Sequence, residues 1–184
     1  MRVGGWHGWA QSIADGIKLL IKEDVIPAGA DKLVFALAPM VVFAAALAAY
    51  VIIPFGPNLI VRDLNIGVLF YISISSLTVV GIIMAGWSSN NKYSVLGALR
   101  SAAQAVSYEV PLVVSILGVI MTVGSLSMIQ IVEAQQRIWF VIPQFVGFLI
   151  YLTAALAECN RLPFYIPEAE SELVAGFHVE YSGM

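Results

Sequence analysis

Four long apolar stretches along the chain predict its architecture. They cover residues 33–53, 64–87, 110–126 and 138–157. About 20 helical residues cross the roughly 30 Å hydrocarbon core of a bilayer, and only a helix satisfies its own backbone hydrogen bonds there. The third stretch has 17 residues, so we expect its helix to begin earlier, near Ser94, and to span about 97–126. The pattern therefore predicts an all-α integral membrane protein with four transmembrane helices.

A second kind of apolar spacing occupies residues 9–23. Apolar side chains recur here at helical intervals between charged ones; they are Trp9, Ile13, Ile17, Leu20 and Ile21. The pattern predicts an amphipathic helix that lies in the membrane interface, although a plain membrane anchor would look the same. We expect one membrane domain over residues 1–184, in which 158–184 form an acidic cytoplasmic loop.

Composition narrows the function classes. The chain is 60% hydrophobic and 11% charged, whereas a soluble domain has about 45–50% apolar and about 25% charged residues. This excludes a soluble globular domain. The single Cys159 excludes a disulfide framework, and the isolated His7 and His178 lack the partners of a metal site. A net charge of −3 without a basic run excludes nucleic acid as a partner.

The distribution of cations predicts the orientation in the membrane. Seven lie on one side of the predicted spans, namely Arg2, Lys18, Lys22, Lys32, Lys92, Arg100 and Arg161. The opposite loops hold Arg62 and Arg137. By the positive-inside rule, the N-terminus, the loop near Asn90 and the C-terminal tail are expected on the cytoplasmic side.

Two carboxylates at or within the spans are candidate functional groups. An ionisable side chain in the bilayer costs at least a few kcal/mol unless it is paired or hydrated. Glu109 enters the third apolar stretch, where a hydrated position at the headgroup level is the alternative. Glu158 ends the fourth stretch, where an ion pair with Arg161 is the alternative.

The tail carries four more carboxylates within thirteen residues, Glu168, Glu170, Glu172 and Glu180. Crowded carboxylates favour proton exchange, but a solvated acidic loop would have the same sequence. The chain shows no nucleophile–base pair, no phosphate-binding glycine loop and no dinucleotide fingerprint. Its residues therefore point to chemistry that moves protons or binds an apolar molecule.

Several blocks resemble one family closely. They are ADGIKLLIKE at 14–23, SNNKYS at 89–94 continuing to Arg100, SYEVP at 107–111, ECNRLPF at 158–164, PEAESELVAG at 167–176 and EYSG at 180–183. They occur in the right order over nearly the whole chain. In these blocks the chain resembles the membrane subunit designated H of the proton-pumping NADH:quinone oxidoreductases, respiratory complex I.

The resemblance implies a subunit that lines the membrane side of a quinone tunnel. It assigns quinone binding to Arg100, Arg161, Phe164 and Tyr165. It assigns a proton relay to Glu109, Glu158, Glu168, Glu170, Glu172 and Glu180. It implies quinone as the substrate, no cofactor or metal on this chain, and FMN and iron–sulfur clusters in partner subunits. The implied partners are the peripheral-arm quinone-site subunits and the neighbouring membrane subunits, in a bacterial cell membrane.

Two departures from the family pattern accompany the resemblance. The family has eight spans, so we expect a fragment that lacks the first span and the last three. Tyr165 stands where the family has Asp, which removes a carboxylate expected near the quinone. Three other functions are alternatives to the complex I subunit: the homologous membrane subunit of an energy-converting hydrogenase, a stand-alone ion transporter and an inert membrane anchor.

Overall fold

The computed structural model describes residues 8, 10–23, 25–56, 59–165 and 176–181, and the regular structure within these ranges is helical. Its elements are α1 Gln11–Ile21, α2 Lys32–Ala49, α3 Gly67–Ser75, α4 Leu77–Ser88, α5 Lys92–Val123, α6 Met128–Ala134, α7 Phe145–Glu158 and a 3₁₀ turn at Gly176–His178. The predicted all-α class is confirmed for this part of the chain.

Three helices of the described ranges are long and apolar enough to cross a bilayer. They are Lys32–Ala49, Gly67–Ser88 and Lys92–Val123, with mean hydropathies of 2.1, 2.2 and 1.9. The second consists of α3 and α4, which meet at Ser76 in a helical backbone conformation, φ −60° and ψ −25°. The early start predicted for the third span is confirmed, because α5 begins at Lys92 and carries both Arg100 and Glu109.

Proline and glycine explain where the spans differ from the predicted bounds. The fourth stretch is helical from Phe145 to Glu158, which is 14 residues, while residues 140–144 form turns. Proline lacks a backbone donor and disfavours a helical residue before it, so Pro143 delays this helix. α2 ends at Ala49, four residues before the predicted bound, and Gly124 ends α5 with φ +75°.

Small residues hold the long helices together. A side-chain carbon on Gly86 of α4 would lie 2.2 Å from Ala98 of α5, and one on Gly81 would lie 2.4 Å from Val42 of α2. Large side chains point outward instead, as Met121 does with 84% of its surface exposed. This arrangement is typical of membrane helices, because lipid solvates large apolar side chains while small residues allow close helix contact.

Polar contacts join the helix ends on one side of the bundle. The Asp31 carboxylate accepts from the backbone N–H of Leu33 at the start of α2, and the Asp31 N–H donates to the carbonyl of Ser88 at 3.0 Å. The segment 176–181, which we call the return segment, covers this end. Tyr181 stacks on Phe35 of α2 with ring centroids 4.1 Å apart.

The amphipathic helix predicted at 9–23 is observed as α1, Gln11–Ile21. No residue of α1 is buried, and Ile13, Ile17, Leu20 and Ile21 are each more than half exposed. Trp9 lies outside the described residues. The apolar face of α1 is therefore largely exposed.

Candidate functional site

Glu109 lies in the middle of α5, eighteenth of its 32 residues. Its carboxylate oxygen Oε1 accepts a hydrogen bond from the hydroxyl of Ser76, at the junction of α3 and α4. The same hydroxyl lies 3.0 Å from the carbonyl of Ile72. A serine hydroxyl carries one proton, so it donates to either oxygen but not to both at once. Glu109 thus has a donor that can turn toward it or away from it.

Glu158 ends α7 and lies near Glu109. The two carboxylates interact electrostatically across the contact between α5 and α7. Glu158 also interacts with Tyr151 on its own helix, and Tyr151 interacts with Tyr71 of α3. Five residues on or between three apolar helices thus lie close enough to interact, and we call them the polar seam; they are Tyr71, Ser76, Glu109, Tyr151 and Glu158.

No ion pair joins Glu158 to Arg161, although both lie in the described part of the chain. The helix ends at Glu158, and Asn160 adopts a left-handed conformation with φ +50°. Arg161 therefore does not continue the face of α7 that carries Glu158. The ion pair considered as an alternative for these two residues is wrong.

The turn after α7, residues 159–165, which we call the α7 turn, is held against α5 by three side chains. The Gln104 amide nitrogen donates to the carbonyl of Ala157 at 2.7 Å. It also lies 3.1 Å from the side-chain oxygen of Asn160 and 3.1 Å from the carbonyl of Phe164. The Asn160 amide donates to the Ser101 hydroxyl at 3.2 Å.

An aromatic contact completes this junction. The ring of Tyr108 meets that of Phe164 edge to face, with centroids 5.2 Å apart. The α7 turn carries three of the four residues assigned to quinone binding, Arg161, Phe164 and Tyr165. The fourth, Arg100, precedes Ser101 on α5. The structure therefore brings together the two elements that carry all four residues.

The three predicted relay residues that the structure describes lie in two places. Glu180 in the return segment accepts from the Asn91 amide at 2.6 Å, next to the start of α5. Glu109 lies 18 residues along the same helix, about 27 Å away along its axis. Glu168, Glu170 and Glu172 lie outside the described residues. Glu109 and Glu158 are the relay residues that the structure places near each other.

A groove of about 620 Å³ between α5 and α7 is a separate feature. Its lining is mostly apolar and includes Val110, Val114, Phe145 and Val146. Of the described residues that were predicted to bind quinone or move protons, none lines this groove. Within the described ranges, no three His, Cys, Asp or Glu side chains come together as metal ligands would.

Sequence reasoning missed Tyr71, Ser76, Tyr151 and Gln104. Tyr151 precedes Glu158 by seven residues, two helical turns, so a search for polar residues on the face of Glu158 would have found it. Ser76 gives no comparable signal, because its contact with Glu109 joins residues 33 positions apart.

Comparison with known proteins places this arrangement in a family. The family described as NADH dehydrogenase matches residues 1–184. The chain belongs to the NADH dehydrogenase family. The resemblance seen in the sequence blocks is thereby confirmed.

Three relatives within the NADH dehydrogenase family are each named as the NADH-quinone oxidoreductase subunit designated H. The protein of Dehalococcoides mccartyi is 59% identical over 98% of this chain and 51% of its own length. That of Brevibacillus brevis is 54% identical over 100% of this chain and 56% of its own. The protein of Bacillus mycoides is 52% identical over 99% of this chain and 55% of its own length. The chain thus spans about half the length of the curated relatives that it matches.

Proposed function

We propose that this chain is the quinone-tunnel and proton-relay part of the corresponding membrane subunit in a proton-translocating NADH:quinone oxidoreductase. The observation that carries the proposal is the hydrogen bond from Ser76 to Glu109, together with the electrostatic contact between Glu109 and Glu158. Two carboxylates within apolar helices are costly to keep unless they have a function. The names of the relatives favour quinone over the ferredoxin chemistry of a hydrogenase.

The quinone side of the proposal rests on the junction of the α7 turn with α5. Phe164 and Tyr108 present aromatic surface there, and the α7 turn and α5 each carry an arginine, Arg161 and Arg100 respectively. An aromatic ring can stack on a quinone headgroup, and an arginine can donate to its carbonyl oxygens and stabilise negative charge during reduction. The residues present thus fit a quinone; the electrons would come from partner subunits.

The proton side rests on the polar seam. In a medium of low dielectric constant, charges interact strongly over several ångströms, so a proton that joins or leaves Glu158 changes the energy of Glu109. The Ser76 hydroxyl exchanges between two acceptors and can follow that change. The hydroxyl of Tyr151 interacts electrostatically with Glu158 and with Tyr71. Quinone reduction at the α7 turn would act on the seam through Glu158, which immediately precedes that turn.

The proposal is tested by Glu109→Gln in the complete enzyme, which keeps the size of the side chain but removes its exchangeable charge. We expect quinone reduction and proton translocation to fall together by at least about tenfold. The NADH oxidation rate with a water-soluble artificial acceptor should not change.

Glu133→Gln is the matched control. Glu133 is an exposed carboxylate on α6 and is not one of the five residues of the polar seam, so full activity is expected. Full coupled activity in Glu109→Gln would contradict the relay, and would favour the inert-anchor alternative.

For the chain in its membrane, we propose four spans, α1 in the interface and residues 176–181 on the cytoplasmic side of a bacterial cell membrane. The proposed partners are the peripheral-arm subunits that bear FMN and iron–sulfur clusters, and the neighbouring membrane subunits. The excess of cations on one side of the spans supports this orientation. Labelling of Asn90→Cys and Arg137→Cys in a Cys159→Ser background tests it, because an impermeant thiol reagent outside the cell should modify the second and not the first.

A further inference from the structure

We propose that Gln104 is a positioning residue for the α7 turn: its amide fixes residues 159–165 against α5 and thereby sets where Arg161, Phe164 and Tyr165 lie relative to Arg100. This inference rests on the proposed quinone-binding function. No part of the sequence pattern singled out Gln104, and its importance follows from the contacts in the structure.

The position of Gln104 on α5 gives it access to the turn. Ser101, Gln104 and Tyr108 are spaced at three and four residues, so they lie on one face of the helix. All three contact the end of α7 or the α7 turn: Ser101 contacts Asn160, Gln104 contacts Ala157, and Tyr108 contacts Phe164. Gln104 is the central member, and its amide meets three oxygens between 2.7 and 3.1 Å away.

The three possible acceptors of Gln104 lie before the α7 turn, within it and near its end. The Ala157 carbonyl belongs to the last turn of α7, and the Phe164 carbonyl lies seven residues later. Asn160 lies between them in a left-handed conformation, which asparagine tolerates better than most residues. The Gln104 amide nitrogen carries two protons, so it donates to two of these three oxygens at a time, and each such pair includes Asn160 or Phe164 of the segment that carries Arg161.

Such a contact should affect quinone affinity more than the catalytic step. Arg161 is exposed and lies on a short segment whose backbone Gln104 anchors. Without the anchor, Arg161 and Phe164 would sample several positions, and binding would have to restrict them again. Saturating quinone would still select the productive arrangement.

The test is Gln104→Met in the complete enzyme, since methionine keeps the length of the side chain and removes the donor. We expect the KM for quinone to rise about tenfold with kcat within about twofold of the original value. A merely structural defect would instead lower the amount of assembled enzyme and the rate with an artificial acceptor. Thr153→Val is the control, because its hydroxyl bonds stay within α7.

A second variant addresses the case in which Gln104→Met prevents assembly. Asn160→Gly retains the left-handed backbone and removes one acceptor of Gln104, so it should raise the quinone KM by about threefold. Combined with Gln104→Met, where that assembles, the two effects should sum to less than full additivity, because the variants share the contact between Gln104 and Asn160.

Arg161→Met separates the inference from the function on which it rests. A raised quinone KM in Arg161→Met with an unchanged KM in Gln104→Met and Asn160→Gly would overturn the positioning role alone. An unchanged KM in all three variants would overturn quinone binding at this turn, and the inference with it.

Discussion

Ser76 joins α3 to α4 and places its hydroxyl between the carbonyl of Ile72 and the carboxylate of Glu109. A hydrogen bond to a charged group contributes about 1.5–3 kcal/mol, more than a neutral one, and few groups compete for it inside apolar helices. Neighbouring Ser73 lacks this contact and donates to the carbonyl of Leu69 on its own helix. One serine thus belongs to the polar seam while another, three residues before it, does not.

Ser76→Ala removes the donor to Glu109 and leaves the helix backbone intact. Because one charge-assisted hydrogen bond is lost, we expect coupled quinone reduction to fall about tenfold. The fall is measured as the steady-state rate of quinone reduction, with proton uptake recorded at the same time. Ser73→Ala should retain the original rate, and equal losses in both variants would show that the hydroxyl contact with Glu109 is unimportant.

The residues of the site differ in how far sequence reveals them. Glu109 and Glu158 stand out because a carboxylate in an apolar stretch is costly. The partners of these residues, Ser76 and Tyr71, are ordinary residues for a membrane helix. Their importance comes from tertiary contacts between distant positions, which periodicity along one helix does not contain.

At the scale of elements, α5 is the helix around which the site is built. One face carries Ser94, Gly97, Ser101, Gln104 and Tyr108, at intervals of three and four residues. The first two contact the return segment, and the other three contact the end of α7 or the turn beyond it. The helix was predictable from its apolar run, whereas this face is a mixture of small and polar residues without an amphipathic pattern.

The return segment packs on α5 through two glycines. A side-chain carbon on Gly97 would lie 2.6 Å from the α-carbon of Gly176 and 2.8 Å from the nitrogen of Phe177. Both are backbone atoms that a rotamer change cannot move aside. We therefore expect Gly97→Ala to displace residues 176–181, at a cost of about 1–3 kcal/mol.

This displacement should make Gly97→Ala enzyme lose quinone reductase activity about tenfold faster on warming in detergent. Gly16→Ala is the matched control, since nothing lies within 4 Å of the added carbon and alanine favours the helix. Inactivation of Gly97→Ala at the rate of the Gly16→Ala enzyme would be incompatible with the tight contact.

Comparison of the observed helix bounds with the predicted ones shows which features of the sequence determine where a helix begins and ends. Apolar length predicted α2, the pair α3 and α4, and α5 to within a few residues. Pro143 explains why α7 begins at Phe145, and a stricter use of the proline rule would have shortened the predicted span. The short helix α6, Met128–Ala134, was not predicted. Seven residues are too few for a helical period to stand out from a loop.

For the whole molecule, the described carboxylates among the predicted relay residues occupy two separate regions of one helical bundle. Glu109 and Glu158 lie in the polar seam, whereas Glu180 accepts from Asn91 near the start of α5. The α7 turn adjoins the seam through Glu158. The proposal therefore places quinone next to the carboxylates whose charge the quinone would influence. Both the proposed quinone site and the polar seam include residues of α5.

Mapping the quinone itself is the sharpest test of this placement. A quinone with a photoreactive headgroup would be irradiated in the complete enzyme, and the labelled peptides identified by mass spectrometry. We predict label in residues 159–165 or on α5 between Arg100 and Tyr108, and loss of that label when excess unmodified quinone is present. The contradicting result would be no label on these two segments, with all of the label that unmodified quinone displaces lying on other subunits. Quinone would then not bind at the α7 turn.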